Sequence, residues 1–382
     1  MNAWTPQVFA PYPGHPDVLL ARVAARSAAF EGTSAADGDR VIVGSAAGHD
    51  RDQVLRGARG ELLERIGNVM AGRAAEAGGG VVATPAELRG TAQAVIVPSV
   101  RPDSRRLWVR GRTVAGRPVY VAAGTVFLQH RPPPGCEALP PAGSTGLASH
   151  TDRRSAARHA AWEVLERDLI RRSWYGLASR PPRALAAAFG GPLGDLFKAQ
   201  DLVATAFALP APPGAECVVV CLHRPDGTGQ TFGARCGPPD PVESLVGRAA
   251  YEALMVRWSM SSVVARATWE RWRGDGPPRT AVQHALWAYH RQDSLSLWKV
   301  AGATSVATAP VHKAASPVDP FDVLARHTGR DVVLVETDGT PARDAGVSVV
   351  RVLAPGALPL PSGPPAAGFE SASGHAHPHP FG

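Results

Sequence analysis

The chain has 382 residues, 45% hydrophobic and 19% charged, which is enough apolar material for a sizeable core and excludes wholesale disorder or a coiled coil. Its four cysteines are too few for a disulfide scaffold. The formal net charge is +7, but only three of the 40 basic residues are lysine and the arginines are scattered, so the bias follows from a GC-rich coding sequence and no nucleic-acid partner is expected.

The first clear element in chain order is a helix, predicted over residues 50–77. Leu62 and Ile66 belong to a series of apolar residues at helical spacing, and Asp50 or Asp52 can cap the N-terminus. A run of three glycines directly afterwards is a stop signal.

Strand-like runs alternate with this helix and a second one. The second helix is predicted over residues 155–175, with Trp162, Leu165 and Leu169 on its apolar side. Short β-branched runs predict strands at 41–43, 94–97, 119–121, 217–222, 332–335 and 347–352. Such alternation is typical of an α/β fold, here with mixed sheets and packed helices.

The expected organisation has three parts. Residues 1–40 are interpreted as an N-terminal extension, residues 41–355 as one α/β domain, and residues 356–382 as a Pro/Gly-rich C-terminal tail. The sequence contains neither a secretory signal nor an apolar run long enough to span a bilayer. A cytoplasmic protein without a membrane partner is therefore expected.

The two predicted helices carry the same short motif. Residues 61–65 and 163–167 both follow the pattern Glu-(Leu/Val)-Leu-Glu-Arg. Residues three apart share one helix face, so each helix presents two carboxylates together. If the helices lie side by side, the four carboxylates form a site for Mg²⁺, which is usually shared between protein carboxylates and substrate phosphates. The adjacent Arg65 and Arg167 are then placed to contact phosphate oxygens.

The motifs also have a simpler interpretation. Glu61 and Arg65, like Glu163 and Arg167, are i, i+4 pairs in the favourable orientation. Spacing alone therefore favours ion pairs on a solvated helix face over a metal site.

A longer pattern changes this balance. Residues 144–151, followed by 159–168, resemble the signature block of the YcaO family, and residues 117–122 and 250–257 agree with it in order and spacing. The resemblance implies a YcaO-like catalytic domain that uses ATP and Mg²⁺ to activate peptide backbone amides. Azoline formation from Cys, Ser or Thr is the expected reaction, and thioamide or amidine formation is the alternative.

The resemblance assigns roles to individual residues. The glutamates expected to bind Mg²⁺ are Glu61, Glu64, Glu163 and Glu166. The residues expected to bind the nucleotide are Arg65, Arg167, Glu252 and Arg257.

Several positions depart from the family pattern. Gly57 stands where a serine usually opens the first motif, Ser155 replaces an acidic residue, and Met255 replaces a glutamine. Each lost hydrogen bond weakens the contact with the nucleotide by on the order of 1 kcal/mol. The departures favour a second hypothesis, a degenerate scaffold or peptide-binding subunit without catalysis.

The end of the chain bears on the same question. Azoline-forming members often end in alternating prolines whose C-terminus reaches the active site, and residues 378–382 resemble that ending. Pro380 and Gly382 are therefore candidate catalytic residues. A loose tail whose histidines bind stray metal is the alternative.

The family also implies partners. The substrate is expected to be a ribosomally made precursor peptide, delivered by a separate ThiF-like or other leader-peptide-binding protein. A homodimer is left open.

Overall fold

Three β-sheets and the helices packed on them form the described part of the chain, for which a computed structural model covers residues 5–30, 40–89, 94–96, 103–239, 241–298, 318–361 and 377–381. The strands are β1 (Gln7–Phe9), β2 (Leu19–Arg26), β3 (Val41–Gly48), β4 (Val81–Ala83), β5 (Ala94–Ile96), β6 (Arg106–Thr113), β7 (Pro118–Ala122), β8 (Leu147–His150), β9 (Arg183–Leu185), β10 (Val203–Leu209), β11 (Glu216–His223), β12 (Thr231–Gly237), β13 (Val333–Glu336) and β14 (Ser348–Leu353). The helices are α1 (Arg51–Ala74), α2 (Pro85–Arg89), α3 (Ala123–Val126), α4 (Arg153–Trp174), α5 (Gly191–Ala199), α6 (Val242–Met260), α7 (Val263–Trp272), α8 (Ala281–Tyr289), α9 (Ser294–Leu297), α10 (Pro320–Thr328) and α11 (Thr340–Asp344). The predicted α/β class with mixed sheets is confirmed. Among the helices in the described ranges, none has the length and apolar composition needed to cross a membrane.

Helix α1 begins and ends close to its predicted positions. The Asp50 carboxylate caps it by accepting the backbone N–H of Gln53 at 2.7 Å. The regular helix ends at Ala74, and one wider turn, Ala75–Gly79, follows. Gly78 in that turn has a φ of 119°, which residues with a side chain rarely adopt, so the predicted glycine stop is confirmed.

The first sheet has the order β1-β2-β3 and packs against α1. β2 pairs antiparallel with β3 from Leu19 opposite Gly48 to Arg26 opposite Val41. β1 and β2 precede residue 41, so this sheet crosses the boundary expected between an N-terminal extension and the domain. The alternation of buried and exposed positions along β2 is the local signal for this strand.

The second sheet, β12-β11-β10-β9, is antiparallel throughout and packs against α6. Its β11 strand is buried on both faces, which is why its sequence is an unbroken apolar run. The thiols of Cys217 and Cys221 on this strand are free and buried.

The third sheet brings the two motif helices together. Its order is β5-β7-β6-β13-β14-β8, with β4 also paired to β6, and only the β5–β7 pair is parallel. Helices α1 and α4 both contact β8 and β14. Both motif helices thus lie on the same two strands, and the charge of Glu163 on α4 acts on Glu64 of α1.

Helix α4 also starts at a capped end. The Asp152 carboxylate accepts the backbone N–H of Ser155 at 2.8 Å, so the helix begins at Arg153, two residues before its predicted start. The apolar side that the sequence predicts, including Leu165 and Leu169, is buried in the largest core cluster. The glutamate motif lies beside this apolar side, since Glu166 follows Trp162 by four residues and is itself buried.

Candidate functional site

The first glutamate of α1 is tied to the neighbouring strand. The Glu61 carboxylate accepts the backbone N–H of Ser45 in β3 at 2.5 Å and pairs with Arg65 at 2.6 Å. Arg65 also donates to the carbonyl of Val43 at 2.7 Å. The i, i+4 ion pair of the simpler interpretation is thus present, and both of its side chains are held against the β3 backbone.

Glu64, three residues later, has no direct hydrogen-bonding or ionic partner among the described residues. Burial raises the pKa of Glu64 well above its usual value, and the negative charges of Glu163 and Glu61 raise it further, against the opposing charge of Arg65. A bound cation would stabilise such a carboxylate.

The glutamates of α4 are anchored by backbone N–H groups. Glu163 accepts the N–H of Gly146 at 3.0 Å, and Glu166 accepts the N–H of Cys236 in β12 at 2.8 Å. The guanidinium of Arg167 lies 3.9 Å from the first carboxylate and 4.0 Å from the second. Arg167 therefore lies within 4.0 Å of both carboxylates.

Burial dominates the electrostatics of the α4 motif. It raises the pKa of Glu163 and raises the pKa of Glu166 to about 7, although Arg235 and Arg167 oppose the shift of Glu166. Burial also disfavours the charge of Arg167, but the negative charges of Glu166 and Glu163 outweigh it and raise the pKa of Arg167. The motif thus places opposite charges together, with Glu166 buried and Glu163 and Arg167 only partly exposed.

Glu252 on α6 belongs to the same group of charges. Its carboxylate accepts the N–H of Ala234 at 3.3 Å and lies 3.8 Å from the guanidinium of Arg235. Its negative charge bears on both Glu166 and Arg167. The third sequence block therefore reaches the cluster through its glutamate.

The structure does not bring Arg257 into this cluster. Five residues after Glu252, it lies about 140° further around the helix. Its guanidinium is buried and donates to the carbonyl of Gly229 at 2.5 Å. Burial lowers the pKa of Arg257, and the groups whose charges act on it are Tyr289, Tyr12, Arg224 and Cys221, none of which is a glutamate.

Two arginines of the site were not predicted from the sequence. Arg235 on β12 pairs with Glu252, and Arg351 on β14 is 4% exposed with the negative charges of Glu163 and Glu64 acting on it. Burial lowers the pKa of Arg351 to about 10, and two of its guanidinium nitrogens have no partner among the described residues. An arginine inside a β-branched strand run is the signal that could have identified Arg351.

The donor set fits a divalent cation that is shared with a ligand. Within the described residues, no three His, Cys, Asp or Glu side chains are already assembled to hold a metal ion. Mg²⁺ takes one or two protein carboxylates and completes its shell with water and phosphate oxygens. Glu61, Glu64, Glu163 and Glu166 supply such pairs, and Glu64 is the carboxylate without another partner.

The C-terminal residues are docked near this site. Pro380 and Phe381 are buried, and the indole N–H of Trp174 on α4 donates to the carbonyl of His377 at 2.9 Å. The positive charge of Arg167 bears on His379, so the docked residues lie close to the α4 motif. A loose tail is therefore a wrong interpretation for residues 377–381, whereas Gly382 lies outside the described residues.

A family model connects these features. The model described as YcaO cyclodehydratase, ATP- and Mg²⁺-binding, matches residues 32–358. That range includes every glutamate and arginine of the cluster. No curated protein sequence matches the chain significantly.

Solved structures of low sequence identity share the fold. A structure of YcaO from Methanopyrus kandleri bound with AMPPCP and Mg²⁺ is 21% identical with a TM-score of 0.63, covering 92% of this chain and 85% of that one. A heterocyclase in complex with substrate and cofactor is 18% identical with a TM-score of 0.69, covering 94% of this chain and 50% of that one. A chain of the E. coli microcin synthetase McbBCD complex with pro-MccB17 bound is 13% identical with a TM-score of 0.65, covering 100% of this chain and 98% of that one.

Proposed function

The chain belongs to the YcaO family of ATP- and Mg²⁺-binding cyclodehydratases, and from this premise we propose that it activates backbone amides of a ribosomally made precursor peptide. The proposed reaction is cyclodehydration, in which a Cys, Ser or Thr side chain attacks the preceding carbonyl carbon and the carbonyl oxygen leaves as phosphate. When bound, ATP supplies the phosphoryl group and Mg²⁺ balances its negative charge. The observation that carries the proposal is the Glu64 carboxylate, which has no direct partner among the described residues and faces the charges of two further glutamates.

We propose that one group of residues binds the metal and another group contacts the nucleotide. Glu61, Glu64, Glu163 and Glu166 are proposed to hold Mg²⁺, because three of them are already oriented by backbone N–H groups. Fixed carboxylates lose little conformational freedom when a cation binds, which favours affinity.

The arginines and Glu252 are proposed to contact the nucleotide. Arg65 and Arg167 already lie beside the motif carboxylates and carry the charge that phosphate oxygens require. Glu252 is proposed to act through its contact with Arg235. Arg257 keeps a nucleotide role on the family pattern alone, since its described partner is the Gly229 carbonyl.

The assemblies of two structural neighbours support a proposal for substrate and partner. One structural neighbour is a heterocyclase in complex with substrate, and another is a microcin synthetase complex with pro-MccB17 bound. We propose a precursor peptide as substrate and a separate ThiF-like or leader-peptide-binding protein as partner. Pro380 and Gly382 are proposed to act at the reaction site, supported by the burial of Pro380.

A non-catalytic scaffold is the second candidate, and one contact favours it. A Cβ atom on Gly57 would lie 3.0 Å from the Cβ of Ala46, so α1 packs on β3 where the family pattern has a serine. Met255, half-buried three residues after Glu252, likewise offers no strong hydrogen-bonding atom.

Calorimetry with ATP and Mg²⁺ separates the two candidates. We expect wild-type protein to bind the nucleotide and Glu64→Gln to lose at least tenfold in affinity, because the neutral amide cannot balance the cation. Glu270→Gln is the matched control, since Glu270 is exposed and pairs only with neighbouring Arg273 among the described residues. No binding by the wild type, even with partner and peptide present, would reject the catalytic proposal.

The mass of the peptide product identifies the reaction. With the complete complex, the mass of the precursor peptide should fall by one water for each ring formed. Replacement of oxygen by sulfur would indicate thioamide formation instead, and an unchanged mass would favour the scaffold.

A further inference from the structure

The described residues at the end of the chain lie in a socket built by α4, α8 and β12. The indole N–H of Trp174 binds the carbonyl of His377 at 2.9 Å. Phe381 is 2% exposed, and its ring centroid lies 6.1 Å from that of Phe232 and 6.2 Å from that of Trp298. The last residues are thus held by packing as well as by hydrogen bonds.

Two stacked imidazoles form the centre of the socket. The rings of His284 on α8 and His379 are nearly parallel, at 6°, with centroids 3.9 Å apart, and both residues are buried. Nδ1 of His284 lies 2.9 Å from the His379 carbonyl oxygen. Since a carbonyl oxygen only accepts, His284 donates this hydrogen bond.

The contacts of His379 define its protonation state. Its Nε2 lies 2.9 Å from the carbonyl of Pro361 and therefore donates, while its Nδ1 accepts the backbone N–H of Phe381 at 3.3 Å. Both ring nitrogens are thus used as in a neutral imidazole. A second proton, on Nδ1, would face the Phe381 N–H and remove that hydrogen bond.

A separate set of contacts fastens the beginning of the tail. The buried Asp168 on α4 accepts the N–H of Leu358 at 2.7 Å and pairs with His327 at 2.6 Å. Arg171 donates to the carbonyl of Pro359 at 2.6 Å. The helix that carries Glu163 and Glu166 therefore holds both ends of the tail, and these anchors differ from the histidine pair.

We propose that His284 is a positioning residue, which holds the last residues of the chain beside the glutamate cluster as long as His379 is uncharged. The proposal rests on the proposed function in one respect, namely that the docked residues take part in peptide modification. The docking itself does not depend on nucleotide.

The groups around His379 determine how docking of the tail depends on pH. Burial lowers the pKa of His379 well below its usual value, and the charges facing it, His284 from α8 and Arg167 and Arg171 from α4, add to this effect. The Pro361 carbonyl opposes it. A released tail regains the ordinary histidine pKa of about 6.5, so docking is complete above that pH and weakens by up to tenfold for each pH unit below it.

Hydrogen–deuterium exchange of the full chain, without nucleotide, tests the docking. Rates for the backbone amides of His377, His379 and Phe381, the non-proline residues of this segment, are divided by those of a free peptide of the same sequence, because intrinsic exchange itself depends on pH. We expect strong protection at pH 7.5 and about tenfold weaker protection at pH 5.5. Equal protection at the two pH values would overturn the proposal.

Three variants complete the test. In His284→Ala, the amides within residues 377–381 should lose most of their protection, while the Leu358 amide stays protected by Asp168. His284→Gln retains a hydrogen-bond donor for the His379 carbonyl and should keep partial protection. His379→Gln should dock without pH dependence, a test that stands even if His284→Ala fails to fold. The proposal is contradicted if His284→Ala keeps its protection or if docking in His379→Gln still depends on pH. His223→Gln is the control, because His223 lies outside the socket.

The peptide reaction links docking to function. His284→Ala should lower kcat by roughly 100-fold through misplacement of the chain end, with the dissociation constant for ATP unchanged. If the wild type does not bind ATP but exchange behaves as expected, the proposed function fails and the docking stands. Unchanged kcat with a released tail would overturn the positioning role.

Discussion

Glu64 and Glu166 show how one short motif produces two different carboxylates. Both are second glutamates of a Glu-x-x-Glu-Arg motif, yet only Glu166 has a backbone N–H partner, that of Cys236. Glu64 has no hydrogen-bonding or ionic partner among the described residues. Their surroundings, not their spacing, set this difference.

The raised pKa of Glu64 predicts the pH dependence of stability in the metal-free protein. Because the folded state favours the protonated form, its contribution to stability is full below the ordinary glutamate pKa of about 4.3 and is lost as pH rises through the raised value. Glu64→Gln should therefore raise Tm by about 2 °C at pH 8 in EDTA, with less effect at pH 5. Thermal unfolding followed by circular dichroism checks this, and a lower Tm at pH 8 would contradict it.

Glu166 predicts the pH dependence of cation binding. Burial raises its pKa to about 7, and a cation requires the ionised form. The affinity for Mg²⁺ with nucleotide should therefore fall below about pH 7, by up to tenfold per pH unit. Calorimetry at pH 8 and pH 6 measures the change, and Glu166→Gln should bind weakly at both values with a smaller difference between them.

At the scale of elements, the same close contact between a strand glycine and a helix backbone occurs twice. A Cβ atom on Gly44 of β3 would lie 2.2 Å from the Ala58 carbonyl oxygen of α1, and one on Gly233 of β12 would lie 2.1 Å from the Ala249 carbonyl oxygen of α6. The residue after each glycine donates its N–H to a site glutamate, Glu61 or Glu252. Close helix–strand approach is therefore what places these carboxylates.

This contact predicts the effect of added side-chain volume. Gly44→Ala and Gly233→Ala should each lower the free energy of unfolding by about 3 kcal/mol, because the new methyl group meets helix backbone that cannot move aside. Gly247→Ala is the matched control, since nothing lies within 4 Å of its Cβ position on α6, and it should stabilise by about 0.5 kcal/mol. Urea unfolding measures all three, and equal effects of Gly44→Ala and Gly247→Ala would refute the interpretation.

At the scale of the whole molecule, the two ends of the described chain close on the central elements. β1 and β2 complete the first sheet, and residues 377–381 fill the socket between α4, α8 and β12. The sequence expectation of an extension and a tail describes composition, whereas both segments carry tertiary contacts. The described structure therefore packs segments from both ends of the described chain against its central elements.

Removal of residues 377–382 tests how much this packing contributes to stability. Loss of the buried Phe381 should lower the free energy of unfolding by about 2 kcal/mol, since its apolar surface no longer covers Trp298 and Phe232. Calorimetry should give unchanged ATP affinity, because the motif glutamates remain. Phe381→Leu is the control with smaller loss, and a truncated protein as stable as the wild type would contradict the packing role.

The sequence by itself determined the features that depend on local periodicity. Both motif helices, the cap of α1, the six predicted strands, the α/β class and the family were available from spacing and order along the chain. The pairing of glutamates on one helix face follows from i, i+3 geometry alone. β6, β10 and β12 were missed because their runs include charged or small residues and lack a clear apolar alternation.

Only the tertiary structure decided which distant residues complete the site. Arg235 and Arg351 enter because sheet pairing brings β12 and β14 beside α4, whereas Arg257 faces away because helix rotation separates it from Glu252. The docking of His379 likewise depends on α8, some 95 residues away in sequence. Local patterns fix where side chains lie on their own element, and long-range packing fixes which elements meet.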